Sequence, residues 1–84
     1  MKKLTNKEIL TLKPGDVLLV SWIYEETNEP YEEYLFCLGD YMTIISSFKQ
    51  PYRLGETYSL LDISYWWGCA ENKNKDLLYS FYKI

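Results

Sequence analysis

The first apolar residues along the chain lie about one helical turn apart. Leu4, Ile9 and Leu12 share one face of a helix drawn through this segment. Thr5 and Glu8, three positions apart, match the capping-box pattern of a helix start. These features predict a short helix over about residues 4–12. Pro14-Gly15 follows and predicts a type II turn, because proline cannot continue the helix and glycine accepts a positive φ.

The strongest strand pattern spans residues 16–24, DVLLVSWIY, in which both faces are apolar. The two faces carry Val17, Leu19 and Ile23 on one side and Leu18, Val20 and Trp22 on the other. A strand that is apolar on both faces is central in a sheet, or it bends so that both faces meet packing partners, as in small barrels.

Four further segments are predicted as strands: 34–38, 41–48, 57–67 and 77–83. Two of them leave an alternative open. Residues 57–67 alternate like a strand, but Ser59 and Asp62 also form a capping-box pattern that favours a helix. Residues 77–83 are read as a closing strand, although Asn74 or Asp76 would also cap a short helix. The intervening segments 25–33, 49–56 and 68–76 are predicted as loops.

The pattern as a whole predicts a mainly β protein with minor α content, in a single domain over residues 1–84. The expected architecture is a small antiparallel SH3-like barrel, or a curled sheet of four or five strands, preceded by one short N-terminal helix. Residues 12–20, LKPGDVLLV, resemble the turn and strand with which many SH3-like barrels open. This likeness covers about nine residues and implies a fold, not a function.

Composition then indicates the cellular compartment. The longest uncharged apolar run, residues 17–24, is far shorter than a membrane span, and no apolar leader follows Met1. We therefore expect a cytoplasmic protein without membrane contact. In that compartment Cys37 and Cys69 are expected to be reduced and to fill the core as small hydrophobic side chains.

The available chemistry argues against catalysis. The chain has no histidine, so histidine-based acid–base and nucleophile pairs are impossible. No phosphate-binding, dinucleotide-binding or calcium-loop motif is present, and two distant cysteines are a weak basis for a metal site. Carboxylates at strand ends or on a strand are more often turn-forming or solvated than catalytic. They are Asp16, Asp40, Glu56 and Asp62. We expect no enzyme activity, no metal and no cofactor.

Two groups of residues exceed what a small core needs. The chain has nine Tyr, three Trp and three Phe, and aromatic side chains are enriched in protein interfaces. Trp66, Tyr31, Tyr52 and Tyr58 are the aromatic candidates for partner contact. Segment 25–33 also holds five glutamates and no basic residue. These acidic candidates are Glu25, Glu26, Glu29, Glu32 and Glu33. They either solubilise a loop or meet a basic surface.

The expected function is that of a small, acidic, non-catalytic protein-interaction module, whose partner carries a basic surface. One specific form is a phage or mobile-element inhibitor of a host nucleic-acid-binding protein. The alternative is a small β-barrel that binds nucleic acid through aromatics and the lysines near both chain ends. Net charge −3 and a single arginine make nucleic acid the less favoured partner. A homodimer would also cover surplus aromatic residues and an open sheet edge.

Overall fold

The structure, a computed structural model, describes residues 1–24, 27–65 and 77–84. Six antiparallel strands within these ranges form one sheet in the order β1-β6-β2-β3-β4-β5. The strands are β1 Lys2–Lys3, β2 Val17–Tyr24, β3 Glu29–Cys37, β4 Tyr41–Ser47, β5 Thr57–Ser59 and β6 Leu77–Lys83. The mainly β class is therefore confirmed, and a curled or open sheet fits the strand order. Among the described strands, no pairing joins β1 to β5 to close a barrel.

The predicted helix is present but shorter than expected. Helix α1 spans Asn6–Ile9, and Thr5 and Glu8 form the capping box, each accepting a hydrogen bond from the other's backbone amide. Lys13 to Asp16 then turns, with the Asp16 amide donating to the Lys13 carbonyl and Gly15 at φ +94°. This geometry confirms a turn that needs glycine at its third position.

Strand β2 occupies a central place in the sheet, between β3 and β6. Val17 lies opposite Phe36 and Tyr24 lies opposite Glu29, so β2 is paired along its whole length with β3. The prediction of an exposed loop over residues 25–33 is therefore wrong for Glu29 and beyond. The polar segment becomes strand because the backbone groups of β2 need partners, and that need outweighs the weak strand propensity of glutamate.

The largest difference from the prediction concerns residues 57–67, which were predicted to form a strand. Within the described part of this segment, residues 57–65, only Thr57–Ser59 is strand and residues 60–65 are helical, and residues 66–67 lie outside the described residues. The Ser59 hydroxyl caps this helix by accepting the Asp62 amide at 3.1 Å, as in the alternative reading of the sequence. Leu60 and Ile63 are buried whereas Leu61 and Tyr65 are exposed, which is the spacing of a helix and not of a strand.

The core lies between one face of the sheet, the inner face, and the two helical segments. It contains Leu4, Ile9, Leu12, Leu18, Val20, Trp22, Leu35, Cys37, Met42, Ile44, Leu60, Ile63 and Phe81. Trp22 stacks on Tyr31 with ring centroids 5.5 Å apart and lies against Tyr79 at 5.7 Å. Cys37 is a free thiol at 0 % exposure, which confirms its place as a core side chain.

Candidate protein-interaction surface

Four of the predicted interaction residues contact one segment of the chain through their side chains, and a fifth, Tyr52, belongs to that segment. This segment, residues 48–56, connects β4 to β5 and contains a 3-10 turn at Pro51–Arg53. We call it the anchored loop. Tyr31, Tyr58, Glu29 and Glu33 each contact a residue of this loop by an ion pair, a hydrogen bond or a ring contact. The structure thus brings together residues that are up to 29 positions apart.

Arg53 holds the centre of the anchored loop against the sheet. Its Nε lies 3.4 Å from a carboxylate oxygen of Glu33, which is 4 % exposed on β3. The guanidinium also lies 3.5 Å from Glu56 and donates to the Tyr58 hydroxyl at 3.0 Å and to Gln50 at 3.3 Å. These contacts use much of the donor capacity of the arginine.

The two carboxylate oxygens that face Arg53 also accept hydrogen bonds from hydroxyl groups. The Ser47 hydroxyl donates to Glu33 at 2.7 Å, and the Tyr58 hydroxyl donates to Glu56. Two backbone hydrogen bonds of 2.9 Å join the end of the loop to Ile44, one from the Gly55 amide and one to the Glu56 carbonyl. The loop is therefore held both by side-chain contacts and by backbone hydrogen bonds.

The electrostatics of the network match this geometry. Burial lowers the pKa of the Arg53 guanidinium, but attraction to Glu33 and Glu56 and the hydrogen bond to Tyr58 outweigh it and raise that pKa above its usual value. Burial and donation to Glu56 raise the pKa of the Tyr58 hydroxyl. Both groups therefore keep their protons throughout the physiological range.

A second set of contacts fixes the start of the loop. Lys49 adopts φ +74° and forms an ion pair with Glu29 at 3.3 Å. Its ammonium lies 5.3 Å from the ring centroid of Tyr31 and 5.5 Å from that of Phe48, within cation–π range. The amide of Phe48 donates to the Glu32 carbonyl at 2.8 Å, which places exposed Glu32 beside the loop.

The anchored loop carries exposed large side chains on this fixed backbone. Tyr52 is 77 % exposed, and Phe48 and Leu54 are exposed by more than half. Tyr52 directly precedes Arg53 in the 3-10 turn, so the anchoring of one residue sets the position of the other. An exposed aromatic side chain on a constrained turn is suited to insertion into a pocket of another protein.

The predicted interaction residues differ in their exposure to solvent. Glu33 is buried and paired, so it cannot belong to a solvated acidic patch, and Tyr58 is half-buried within the Arg53 network. Glu29 and Glu32 are exposed. Predictions for Trp66, Glu25, Glu26 and Cys69 lie outside the described residues. The sequence reasoning missed Arg53, Lys49 and Phe48, although the single arginine beside Pro51 was a signal that could have been followed.

Two of the carboxylates considered for catalysis, Asp16 and Glu56, form contacts within the fold. Asp16 accepts the Lys13 amide at 2.8 Å and pairs with Lys83 at 3.6 Å, and these contacts lower the pKa of its carboxyl group. Glu56 belongs to the Arg53 network. In the described ranges, no group of three or more cysteine or acidic side chains is arranged to hold a metal ion.

Comparisons with known proteins return no relative. No family model, no curated protein and no solved structure matches this chain. Among the described residues, none of the helices has the length and apolar character that crossing a membrane requires.

Proposed function

We propose that the chain is a non-catalytic protein-interaction module that binds its partner through the anchored loop. The observation that carries the proposal is Tyr52, which is 77 % exposed next to an arginine locked by a buried glutamate. Binding a fixed loop loses little conformational entropy, so one aromatic anchor contributes a large share of the affinity.

The partner of this module carries a basic surface beside the pocket for Tyr52. Exposed Glu29 and Glu32 flank the loop, and the whole chain has a net charge of −3. Acidic groups at the edge of an interface mainly raise the association rate and select the partner. One form of the proposal is an inhibitor that occupies the basic surface of a nucleic-acid-binding protein.

Direct nucleic-acid binding is the second candidate, because the lysines of the two chain ends meet. Strand β1 pairs with β6 so that Lys2 lies opposite Lys83. Both charges are partly balanced, since Lys2 pairs with Glu8 at 2.7 Å and Lys83 pairs with Asp16. A groove for phosphates requires several uncompensated cations, which makes this candidate the weaker one.

The test is affinity capture with the full chain from an extract of its source cells, comparing wild type, Tyr52→Ala and Leu61→Ala. Leu61 is 71 % exposed on the 60–65 helix and serves as a matched surface control. We expect Tyr52→Ala to lower the affinity for the captured partner about 30-fold, because a hot-spot side chain is lost. The folding stability of this variant is expected to be unchanged. Leu61→Ala is expected to bind like wild type.

Two further measurements bear on the nature of the partner. Glu32→Lys and added salt are expected to lower the affinity further, because both weaken attraction to a basic surface. Equal capture by Tyr52→Ala and wild type would contradict the proposal. A gel shift of labelled nucleic acid at moderate salt by wild type, lost in a Lys2→Glu, Lys3→Glu variant, would favour the second candidate instead.

A further inference from the structure

The face of the sheet turned away from the core, here called the outer face, is unusually apolar. Register and strand alternation place large apolar or aromatic side chains on it, together with the hydroxyl residues Ser21, Thr43, Ser46 and Ser80. The large side chains are those of Leu19, Ile23, Tyr34, Phe36, Ile45 and Tyr82. Within the described strands β2, β3, β4 and β6, Glu32 is the one charged residue among the outward positions. Solvent faces of antiparallel sheets are normally polar, so this composition resembles a buried face.

The central residue of the outer face, Leu19, lies in an apolar row. Leu19 lies opposite Tyr34 on one side and opposite Tyr82 on the other. Leu19 is only 6 % exposed, and its neighbours across the sheet are aromatic. The larger exposed fractions are those of Ile45 on β4 (51 %) and of Ile23 (47 %), which lies beyond the neighbouring polar row of Ser21, Glu32 and Ser80.

A bulge adds to the apolar side chains of this face. Tyr34 lies opposite Ser46 whereas Leu35 lies opposite Ile44, so Ile45 is the extra residue of β4. A bulge changes the direction of nearby side chains, and the added residue here, Ile45, has a large, exposed, apolar side chain. The two helical segments lie on the opposite side, because α1 and the 60–65 helix contribute their buried residues to the core on the inner face.

The charge pattern argues for a second copy of this chain as the occupant. A two-fold interface places a surface against itself, so a surface rich in charges of one sign is self-repulsive. The outer face meets itself mainly with apolar and hydroxyl groups, and its one charged side chain within the described strands β2, β3, β4 and β6, Glu32, lies at the end next to the anchored loop. Two antiparallel sheets also pack face to face in the ordinary geometry of a β-sandwich.

The size of the face is consistent with a modest dimer. Four strands spaced about 4.8 Å apart and about seven residues long cover roughly 450 Å² in projection. Two copies therefore bury about 900 Å² or more, near the roughly 1,000 Å² expected of a specific interface. We infer that two copies of the chain associate through their outer faces into a symmetric dimer with a sheet-on-sheet interface.

Sedimentation equilibrium from about 1 µM to about 1 mM tests this inference. Wild type is expected to approach twice the 10.1 kDa mass of one chain as concentration rises. Ile23→Glu and Ile45→Glu each place a carboxylate into the interface and are expected to raise the dimer dissociation constant at least about 30-fold. Leu61→Glu, on the far side of the sheet, is expected to dimerise like wild type.

Circular dichroism checks that each variant is folded. We expect folding to be retained because the side chains of Ile23 and Ile45 are exposed. A wild type that stays at 10.1 kDa over the whole range would overturn the inference. So would a dimer that is unaffected by both outer-face variants. This outcome is separate from the proposed function, because a monomer that still captures a partner through Tyr52 leaves that function intact.

Discussion

At the scale of single residues, Arg53 and Glu33 form the interaction that sets the candidate surface. Glu33 has a side chain 5 % exposed, whereas that of Arg53 is 22 % exposed. Arg53 has three other polar partners, Glu56, Gln50 and Tyr58, but Glu33 has only Ser47 besides Arg53 among the described side-chain contacts. Glu33 therefore depends on Arg53 for its hydrogen bonds and charge balance more than Arg53 depends on Glu33.

This asymmetry predicts the outcome of a double-mutant cycle. Arg53→Met leaves a buried carboxylate without its cation and is expected to lower the free energy of unfolding by about 3 kcal/mol, the low end for a broken buried pair. Glu33→Leu leaves the arginine with its other partners and is expected to cost about 1 kcal/mol. The double variant is expected to be more stable than Arg53→Met alone.

Urea unfolding of the four proteins at neutral pH measures the cycle. Tyr52→Ala serves as the control, since truncating a side chain that is 77 % exposed is expected to change stability by less than about 0.5 kcal/mol. A double variant as unstable as the sum of the single losses would show that the pair is not coupled, and equal losses for the two single variants would contradict the asymmetry.

At the scale of elements, the capping box of α1 predicts a pH dependence. The ion pair with Lys2 and the backbone amide of Thr5 lower the pKa of Glu8 from 4.5 to about 2. A depressed carboxyl pKa contributes stability above the unfolded value, and this contribution is lost as pH falls through the folded value. The loss is therefore expected between about pH 4.5 and pH 2.

Thermal unfolding of wild type and Glu8→Gln between pH 6 and pH 2 tests this expectation. Glutamine keeps an acceptor for the Thr5 amide but has no charge for Lys2, so the stability advantage of wild type is expected to shrink as pH falls. Glu32→Gln, remote from α1, controls for general charge effects. A constant difference between wild type and Glu8→Gln over the whole range would rule out this role for Glu8.

Elements differed in how far the sequence could predict them. The start of α1 and the turn at Gly15 were predictable because their signals are local: a capping pair and a glycine that accepts positive φ. The strand at Glu29–Cys37 was not, because its polar half forms a strand through pairing with β2. The segment from Ser59 fitted both a strand pattern and a helix-capping pattern. The helix forms because it buries Leu60 and Ile63 in the core.

The candidate site was predictable only in part for a related reason. Exposed Tyr52 could be identified as a surplus aromatic residue, but its anchor depends on contacts across the sheet. Glu33 and Arg53 are 20 positions apart, and nothing local distinguishes Glu33 from its exposed neighbour Glu32. The alternation of faces in β3 makes that distinction, and it requires the strand to be known first.

At the scale of the whole molecule, the sheet order predicts how stability is distributed. Strand β2 is paired on both sides, with β3 and β6, and its inner residues lie in the core. Strands β1 and β5 end the sheet and have only two and three residues. Amides in central, buried strands exchange hydrogen only on global unfolding, whereas those in short end strands exchange by local opening.

Hydrogen exchange followed by NMR is therefore expected to show the slowest amides within Leu18–Trp22, and exchange on the order of 100-fold faster in β1 and β5. The amides of Leu54 and Glu56 at the anchored loop are expected to fall between these limits, because the Arg53 network holds them while solvent remains near. Arg53→Met is expected to bring these loop amides to the rates of β5 and to leave the ranking of β2 unchanged. Loop amides that exchange as fast as β5 already in wild type would mean that the loop is not fixed before binding, and the case for Tyr52 as a preorganised anchor would fail with it.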